Sequence, residues 1–309
     1  MADRVFSVQS AYLYYIDSDV NLFHEYRNES MTTKLQRYKV WDLTTRLFHW
    51  INAVSVLSLI IVGVIILNTK LFGIEGEAKV LLKVIHASIG YVFVVNLLWR
   101  IIWAFFGGHH ARWRQILPTG KNYLHSLKSY TANFFSGIRQ QYLGHNPVAR
   151  LIISLFFILL SMQAITGLVI AGTDLYYPPF GGYFAEWVTD GDPERLQQLT
   201  PGDKSQVIES AYAEMRSFRK PFITVHVYNF YLLSVLILIH IIGVIVTEVR
   251  EKNGIISAMI SGEKVLDDAY MDVGGTTPWT GEVEPRLEQR SRVESGTETE
   301  KTQDENKSI

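Results

Sequence analysis

The chain has no cysteine among its 309 residues. Without thiols it cannot form disulfides, hold an iron–sulfur cluster through thiolates or attach haem covalently through a Cys-x-x-Cys-His motif. Any haem that it binds must be held non-covalently, with histidine or methionine as the ligand. A cleaved signal peptide is not indicated either, because the first long apolar run begins well inside the chain and has no small-residue cleavage pattern after it.

Acidic residues are missing from residues 107–150, whereas basic residues are frequent there. The basic residues of this stretch are Arg112, Arg114, Lys121, Lys128, Arg139 and Arg150. Residues 173–221 have the opposite balance, with more acidic than basic side chains. Because basic loops favour the cytoplasmic side of a membrane, we expect residues 107–150 and both termini inside the cell, and residues 173–221 outside it.

Four long apolar runs, residues 51–67, 84–106, 151–172 and 222–246, are each about long enough to cross a bilayer with modest tilt. We therefore predict an all-α integral membrane protein, a four-transmembrane-helix bundle occupying residues 41–250. The predicted helices are about 47–67, 84–106, 150–172 and 222–247, with an outer loop at 173–221. A cytoplasmic segment, 1–40, precedes the bundle, and a cytoplasmic and largely disordered tail, 251–309, follows it.

Four histidines lie in or beside the apolar runs, namely His49, His86, His226 and His240. His226 and His240 are fourteen residues apart, almost four helical turns, so both point the same way about 21 Å apart along the axis. The hydrocarbon layer is about 30 Å thick. Because successive helices alternate in direction, His86 and His226 form a pair near the outer face, and His49 and His240 a pair near the inner face.

We interpret these pairs as the axial ligands of two b-type haems, which the bundle encloses. A single histidine in a membrane helix is more often a helix-packing residue, but four at two matched depths favour ligation because polar groups in hydrocarbon are costly. Two histidines fill both axial positions of an iron, which indicates electron transfer. Arg46 and Arg100 are candidates for pairing with haem propionates, or are ordinary cytoplasmic anchors.

Two polar segments show helical spacing of apolar residues. Residues 123–138 predict an interfacial helix on anionic membrane lipid, with a plain basic loop as the alternative. Residues 207–215 predict an amphipathic helix in the outer loop. Nothing in the sequence indicates nucleic acid as a partner.

Several motifs resemble one family. They are the Arg-Leu-Phe-His-Trp stretch at 46–50, His86, the Gly-His-Asn-Pro-Val-Ala stretch at 144–149, the spacing of His226 and His240, and residues 254–262. Together they are similar to the b-type cytochrome subunit of membrane-bound nickel–iron hydrogenases, a branch of the bacterial cytochrome b-561 superfamily that includes the gamma subunit of formate dehydrogenase. The resemblance covers roughly residues 35–265.

The resemblance implies a multi-pass subunit of the bacterial inner membrane, N-in and C-in, with two haem b groups. It implies an electron-transfer subunit rather than a catalytic one, which relays electrons between a periplasmic redox partner and the quinone pool. His145 and Asn146 would donate hydrogen bonds to the quinone, menaquinone or ubiquinone, near the inner haem. The partner would be a hydrogenase small subunit, or a c-type cytochrome, since residues 173–221 are long for a hydrogenase anchor.

Two other functions stay open at this point. One is a stand-alone membrane oxidoreductase that passes electrons from superoxide or another small donor to quinone. The other is a four-helix membrane protein without a cofactor, such as a transporter component, in which the histidines only pack.

Overall fold

The computed structural model describes residues 36–138 and 140–266. Most of the predicted segment 1–40, the basic residue Arg139 and the predicted tail from residue 267 onward lie outside the described residues. The chain divides into two compact units, and the larger, built mainly from Lys39–Lys264, holds the helices. Of the smaller unit only residues 36–38 and 265–266 are described.

The described elements are, in chain order, β1 (Gln36–Lys39), α1 (Leu43–Leu67), α2 (Gly76–Phe106), a 3₁₀ turn (His109–Ala111), α3 (Trp113–Ile116), α4 (Tyr123–Phe135), α5 (Pro147–Leu175), α6 (Gly181–Thr189), α7 (Pro193–Gln198), α8 (Glu209–Glu251), α9 (Ile255–Ser261) and β2 (Glu263–Leu266). The two strands form a two-stranded sheet. Four helices, α1, α2, α5 and α8, are long and apolar enough to cross a membrane. This confirms the predicted all-helical fold with four candidate spans.

Helices α2 and α8 begin earlier than the sequence indicated, at Gly76 and Glu209 rather than near residues 84 and 222. An apolar run marks only the part of a helix inside hydrocarbon, whereas helical hydrogen bonding continues into polar residues beyond it. The amphipathic helix predicted at 207–215 is therefore the first part of α8, which continues through Pro221. Its 43 residues rise about 65 Å, roughly twice the hydrocarbon thickness.

The described part of the predicted disordered tail is ordered. Residues 255–261 form α9, and residues 263–266 form β2. Trp50 Nε1 of α1 donates a hydrogen bond to the carbonyl of Met259 at 3.0 Å, and Arg46 Nη1 donates to the carbonyl of Ile260. These two bonds tie α9 to the start of α1, a long-range contact that composition alone does not reveal.

Hydrogen bonds show which helix ends lie together. We call the end where α1 and α5 begin and α2 and α8 finish the basic end, since it carries residues 107–150. There Tyr130 of α4 donates to the Glu251 carboxylate at 2.8 Å and accepts from Asn146 at 2.9 Å. We call the opposite end, which carries residues 173–221, the acidic end.

An apolar layer fills the middle of the bundle. Its buried members come from α2, α5 and α8, and they are Phe93, Leu97, Leu159, Leu160, Leu233 and Leu236. Leu233 lies seven residues after His226 and seven before His240, so the layer sits about 10 Å along the axis from each histidine. The two histidine levels are therefore separated by packed hydrocarbon side chains.

The outward faces of the four long helices are apolar and exposed. Val54, Ile61, Val95 and Ile165 each expose at least 60% of their surface. Contiguous apolar surface of this extent is unusual on a protein surrounded by water. It matches a bundle whose outer surface is in contact with lipid chains.

The acidic end has a small core of its own. Phe184 and Val188 of α6 pack with Met215 of α8, and all three are buried. This contact holds α6 against the turns of α8 that precede its apolar run. The segment 173–221 is therefore a folded cap rather than an open loop.

Asp42 joins the start of α1 to the end of α2. Its Oδ1 accepts from the Thr45 N–H at 2.7 Å, which caps the helix, and its Oδ2 accepts from Trp103 Nε1 at 3.2 Å and from the Gly108 N–H at 3.3 Å. One carboxylate thus caps the start of α1 and accepts from Trp103 of α2 and from Gly108, just after α2.

We predict that Asp42→Ala lowers the thermal midpoint of the detergent-solubilised chain more than Asp192→Ala does. Both substitutions remove a capping carboxylate, worth about 1 kcal/mol, but Asp192 caps the short helix α7 through local bonds alone. Only Asp42→Ala also leaves Trp103 and Gly108 without their acceptor. Circular dichroism measures both midpoints. Equal shifts for the two variants would contradict the role of Asp42 in holding α1 against the end of α2.

Candidate functional site

The structure brings His86 of α2 and His226 of α8 together near the acidic end. Their ring centroids are 6.3 Å apart, and the ring planes are 70° from parallel. Both rings line a cavity of about 340 Å³ whose walls come from all four long helices. The rings therefore meet edge to face beside a space bounded mostly by apolar side chains.

Glycines keep this cavity open beside the rings. A Cβ added at Gly63 of α1 would lie 3.4 Å from Cε1 of His86, and one at Gly167 of α5 would lie 3.3 Å from Cε1 of His226. Any larger side chain at these positions would extend into the space next to an imidazole. Gly90 of α2 also lines the cavity, and a Cβ there would meet nothing within 4 Å.

Hydrogen bonds fix the tautomer of His226. Gln163 Oε1 accepts from Asn229, so the Gln163 amide nitrogen faces Nε2 of His226 and donates to it. The ring proton is then on Nδ1, which donates to Thr166 Oγ1 at 2.9 Å. The lone pair of the ring is then on Nε2. This is the nitrogen that His226 presents to a ligand.

In this structure Gln163 uses that lone pair. Its Nε2 donates to Nε2 of His226 at 3.0 Å, and its Oε1 accepts from Nδ2 of Asn229 at 2.6 Å. Asn229 is 2% exposed and also donates to the carbonyl of Leu159 at 2.9 Å. A metal on His226 Nε2 would take the place of the Gln163 amide.

The second pair, His49 of α1 and His240 of α8, lies toward the basic end. The two imidazoles are close enough for their charges to interact. Phe156 of α5 meets His240 edge-on, with centroids 5.5 Å apart and planes at 88°. The structure thus places His86 beside His226, and His49 within electrostatic range of His240. Ligation by either pair stays a prediction.

The two predicted arginines lie in different surroundings. Arg46 donates to Ile260 and so belongs to the contact between α1 and α9. Arg100 of α2 is 4% exposed and lies over the rings of Phe48 and Phe157 at 5.7 and 5.8 Å. It donates to the carbonyl of Ala111 at 3.1 Å. Arg100 therefore points into the bundle, whereas Arg46 is committed to a backbone contact at its end.

His145 and Asn146 are both at the basic end. Asn146 caps α5, since its Oδ1 accepts from the Ala149 N–H at 2.7 Å and its Nδ2 donates to the Tyr130 hydroxyl at 2.9 Å. The ring of His145 packs on Trp41 with centroids 4.6 Å apart. Burial lowers the pKa of His145 well below its ordinary value, and the nearby charge of Lys264 lowers it further, so His145 is neutral.

Lys264 is a buried cation beside His145 that sequence reasoning missed. It is 3% exposed, and its Nζ donates to the carbonyls of Tyr142 and Gly144 at 3.0 and 2.9 Å. Burial lowers its pKa to about 8, although the Glu251 carboxylate opposes the shift. No sequence signal identified Lys264, because it follows the last apolar run in a polar stretch.

Three charged residues at the acidic mouth of the cavity were also missed. They are Lys83, Asp174 and Arg219, and each of the two cations forms an ion pair with Asp174. Within the described ranges, no group of three or more His, Asp or Glu side chains could hold a bare metal ion.

The sequence profile described as prokaryotic cytochrome b561 matches residues 40–262. The chain is 30% identical over 249 residues to a protein of Rhizobium leguminosarum bv. viciae named probable Ni/Fe-hydrogenase B-type cytochrome subunit, an alignment that covers 75% of this chain and 91% of the relative. A protein of the same name from Bradyrhizobium diazoefficiens is 27% identical over 74% of this chain and 86% of its own length. The probable Ni/Fe-hydrogenase 1 B-type cytochrome subunit of Escherichia coli K12 is 28% identical over 47% of this chain and 64% of its own length. No solved structure matches the chain.

We predict that Gln163→Leu and Asn229→Leu destabilise the chain non-additively. Each single substitution leaves a buried amide without its partner, at a cost of about 1–3 kcal/mol, whereas the double variant removes both. Their coupling energy, from unfolding midpoints of the solubilised chain, should be roughly 0.5–3 kcal/mol. Gln198→Leu and Gln206→Leu, which break an exposed amide pair at 3.0 Å, should be additive. Additive effects at Gln163 and Asn229 would argue against the buried bond.

We also predict a pH-dependent stability difference between the wild type and Lys264→Met. The pKa of Lys264 is about 8 in the folded chain, below its ordinary value of 10.5, so between these values the unfolded chain binds more protons. Stability of the wild type relative to Lys264→Met should therefore rise from pH 8 to pH 10.5. Lys128→Met, which changes an exposed lysine of α4, is the control in the same denaturation series. A falling or flat curve for Lys264 would contradict the burial of its charge.

Proposed function

This chain belongs to the prokaryotic cytochrome b561 family, and we propose that it holds two b-type haems and carries electrons between a partner protein and a quinone. His86 and His226 are the proposed axial ligands of one haem, and His49 and His240 those of the other. The observation that carries the proposal is the occurrence of two histidine pairs at two depths, with α8 contributing one member of each.

The distance between His86 and His226 fits a shared iron. Two metal–nitrogen bonds of about 2 Å each, plus about 1 Å from each nitrogen to its ring centre, place two axial imidazoles about 6 Å apart. The observed centroid separation is 6.3 Å. The pair supplies only two ligands, so the remaining positions of the iron would be filled by a macrocycle.

The surroundings of the rings support the same assignment. Gly63, Gly90 and Gly167 leave space at the level of His86 and His226. Apolar walls with a few polar groups are what a flat, mainly apolar cofactor requires.

The haem iron, when bound, supplies one-electron redox chemistry, since two histidine ligands leave it no open position. The residues of the chain orient the ligands and exclude water. Thr166 holds Nδ1–H of His226 and so directs Nε2 into the cavity, as partners of metal-bound histidines commonly do. The layer around Phe93 and Leu233 keeps the space between the two levels dry.

We place the basic end on the cytoplasmic side of the bacterial inner membrane, N-in and C-in. The support is the absence of acidic residues from 107–150, because short basic loops stay in the cytoplasm. The quinone site is then at this end, next to the His49 and His240 level. His145 is the stronger candidate for a quinone contact, since both polar atoms of the Asn146 side chain are already bonded.

The partner protein would dock at the acidic end, near His86 and His226. The relatives named as Ni/Fe-hydrogenase B-type cytochrome subunits, one aligned over 91% of its length, favour a hydrogenase small subunit as that partner. A c-type cytochrome is the alternative. The cap formed by α6 and the start of α8 is the part of the chain that it would contact.

We predict that His226→Ala and His240→Ala each remove one of two b-type haems. Each substitution takes one axial ligand from a different pair, so each should leave about half of the haem per polypeptide. Dithionite-reduced minus oxidised spectra and haem content of the purified variants measure this. His125→Ala, which changes an exposed histidine of α4, is the control and should keep both haems.

The same preparations test whether a quinone accepts electrons from the haems. Reduced wild-type haem should be reoxidised by a menaquinone or ubiquinone analogue, and a His145→Ala variant should be reoxidised more slowly. A wild type without haem would overturn the proposal as a whole. Two haems that no quinone analogue oxidises would overturn the quinone assignment alone.

A further inference from the structure

Three charged side chains close the acidic end of the cavity that contains His86 and His226. Lys83 Nζ of α2 lies 2.5 Å from Asp174 Oδ2 of α5, and Arg219 Nη1 of α8 lies 2.7 Å from Asp174 Oδ1. The three side chains are only 30%, 21% and 12% exposed, respectively. We call this group the cavity triad. It links three of the four long helices at one depth.

Lys83 and Arg219 lie on the same helix faces as His86 and His226. Lys83 is three residues before His86, and Arg219 is seven before His226. On a helix these spacings keep side chains on one face, displaced toward the acidic end by about 5 and 10 Å. Asp174 is likewise seven residues after Gly167, the glycine that packs against His226. The two cations therefore lie closer to the acidic end than the imidazole rings do, along the same wall of the cavity.

The charges of the triad do not balance. Two cations share one carboxylate, which leaves one positive charge in excess beside an apolar cavity. Among the described residues, Arg219 Nε is buried and has no hydrogen-bond partner. A buried cationic donor without an acceptor is costly. Arginine and lysine together are suited to a carboxylate, and arginine presents donors in a planar fork.

We propose that Lys83 and Arg219 bind one carboxylate of the macrocycle held between His86 and His226, and that Asp174 positions the two cations and competes with that carboxylate for them. One added carboxylate brings the site to neutrality. This inference rests on the proposed function, because it requires a haem at that level. It assigns the anionic edge of the haem to the acidic mouth of the cavity.

A purely structural ion pair gives a different expectation. If the triad only ties α2, α5 and α8 together, removing any of its members loosens the site, and Asp174→Asn and Arg219→Gln act in the same direction. If the cations bind a haem carboxylate, Asp174→Asn frees them for it, and the two substitutions act in opposite directions on haem retention.

The test measures how fast haem leaves the detergent-solubilised holoprotein for excess apomyoglobin, following the haem that His226→Ala removes. Arg219→Gln and Lys83→Gln should each speed this loss roughly tenfold, as expected when one charge-assisted hydrogen bond is removed. Asp174→Asn should lower the rate, because it frees both cations for the haem carboxylate. Arg195→Gln and Asp192→Asn, which break an exposed pair at 3.5 Å on the same end, should change nothing.

A second measurement avoids folding defects in the variants. Haem dimethyl ester, which has no free carboxylate, should leave the wild-type chain at least as fast as ordinary haem leaves Arg219→Gln. The difference between haem and its ester should be smaller in Arg219→Gln than in the wild type, because only Lys83 still binds the carboxylate there. Equal acceleration by Asp174→Asn and Arg219→Gln, or equal retention of haem and its ester by the wild type, would overturn the inference alone. If His226→Ala held as much haem as the wild type, the proposed function would be overturned together with this inference.

Discussion

Both candidate haem levels depend on the register of one helix, α8. His226 and His240 are fourteen residues apart, so the 3.6-residue period turns both rings to the same side of the helix. Leu233 and Leu236 fall between them and complete the apolar layer with α2 and α5. A shift of one residue within this interval would rotate one histidine by about 100° and separate it from its partner. The spacing of two residues thus sets the depth of both pairs.

Polar side chains inside the bundle are held by specific partners, because hydrocarbon offers them no alternative. Asn229 donates to Gln163, Gln163 donates to His226, and His226 donates to Thr166. This series runs between α5 and α8 and ends on a backbone carbonyl. Its consequence is chemical as well as structural, since it determines which nitrogen of His226 is available to a metal. The same bonds therefore join two helices and orient a proposed ligand.

The two ends of the bundle use buried charge in different ways. At the acidic end, Lys83 and Arg219 share Asp174 at the mouth of the cavity. At the basic end, Lys264 is held by backbone carbonyls beside His145, and burial lowers its pKa to about 8. Neither arrangement follows from net charge, which is close to neutral. Each places a cation where an anionic or redox-active partner of the proposed function would lie.

The sequence by itself determined the number of long helices, their alternating direction and the spacing that puts His226 and His240 on one side of α8, because apolar run length and helical period are local properties. It set the helix boundaries too narrowly at Gly76 and Glu209, since helical hydrogen bonding continues past the apolar run. Tertiary structure alone decided that Asn146 is a cap, that Arg46 contacts α9, and that Lys83, Asp174 and Arg219 meet. Those side chains are far apart in the chain or ordinary in their local pattern, and only the packing of separate helices brings their partners within hydrogen-bond distance.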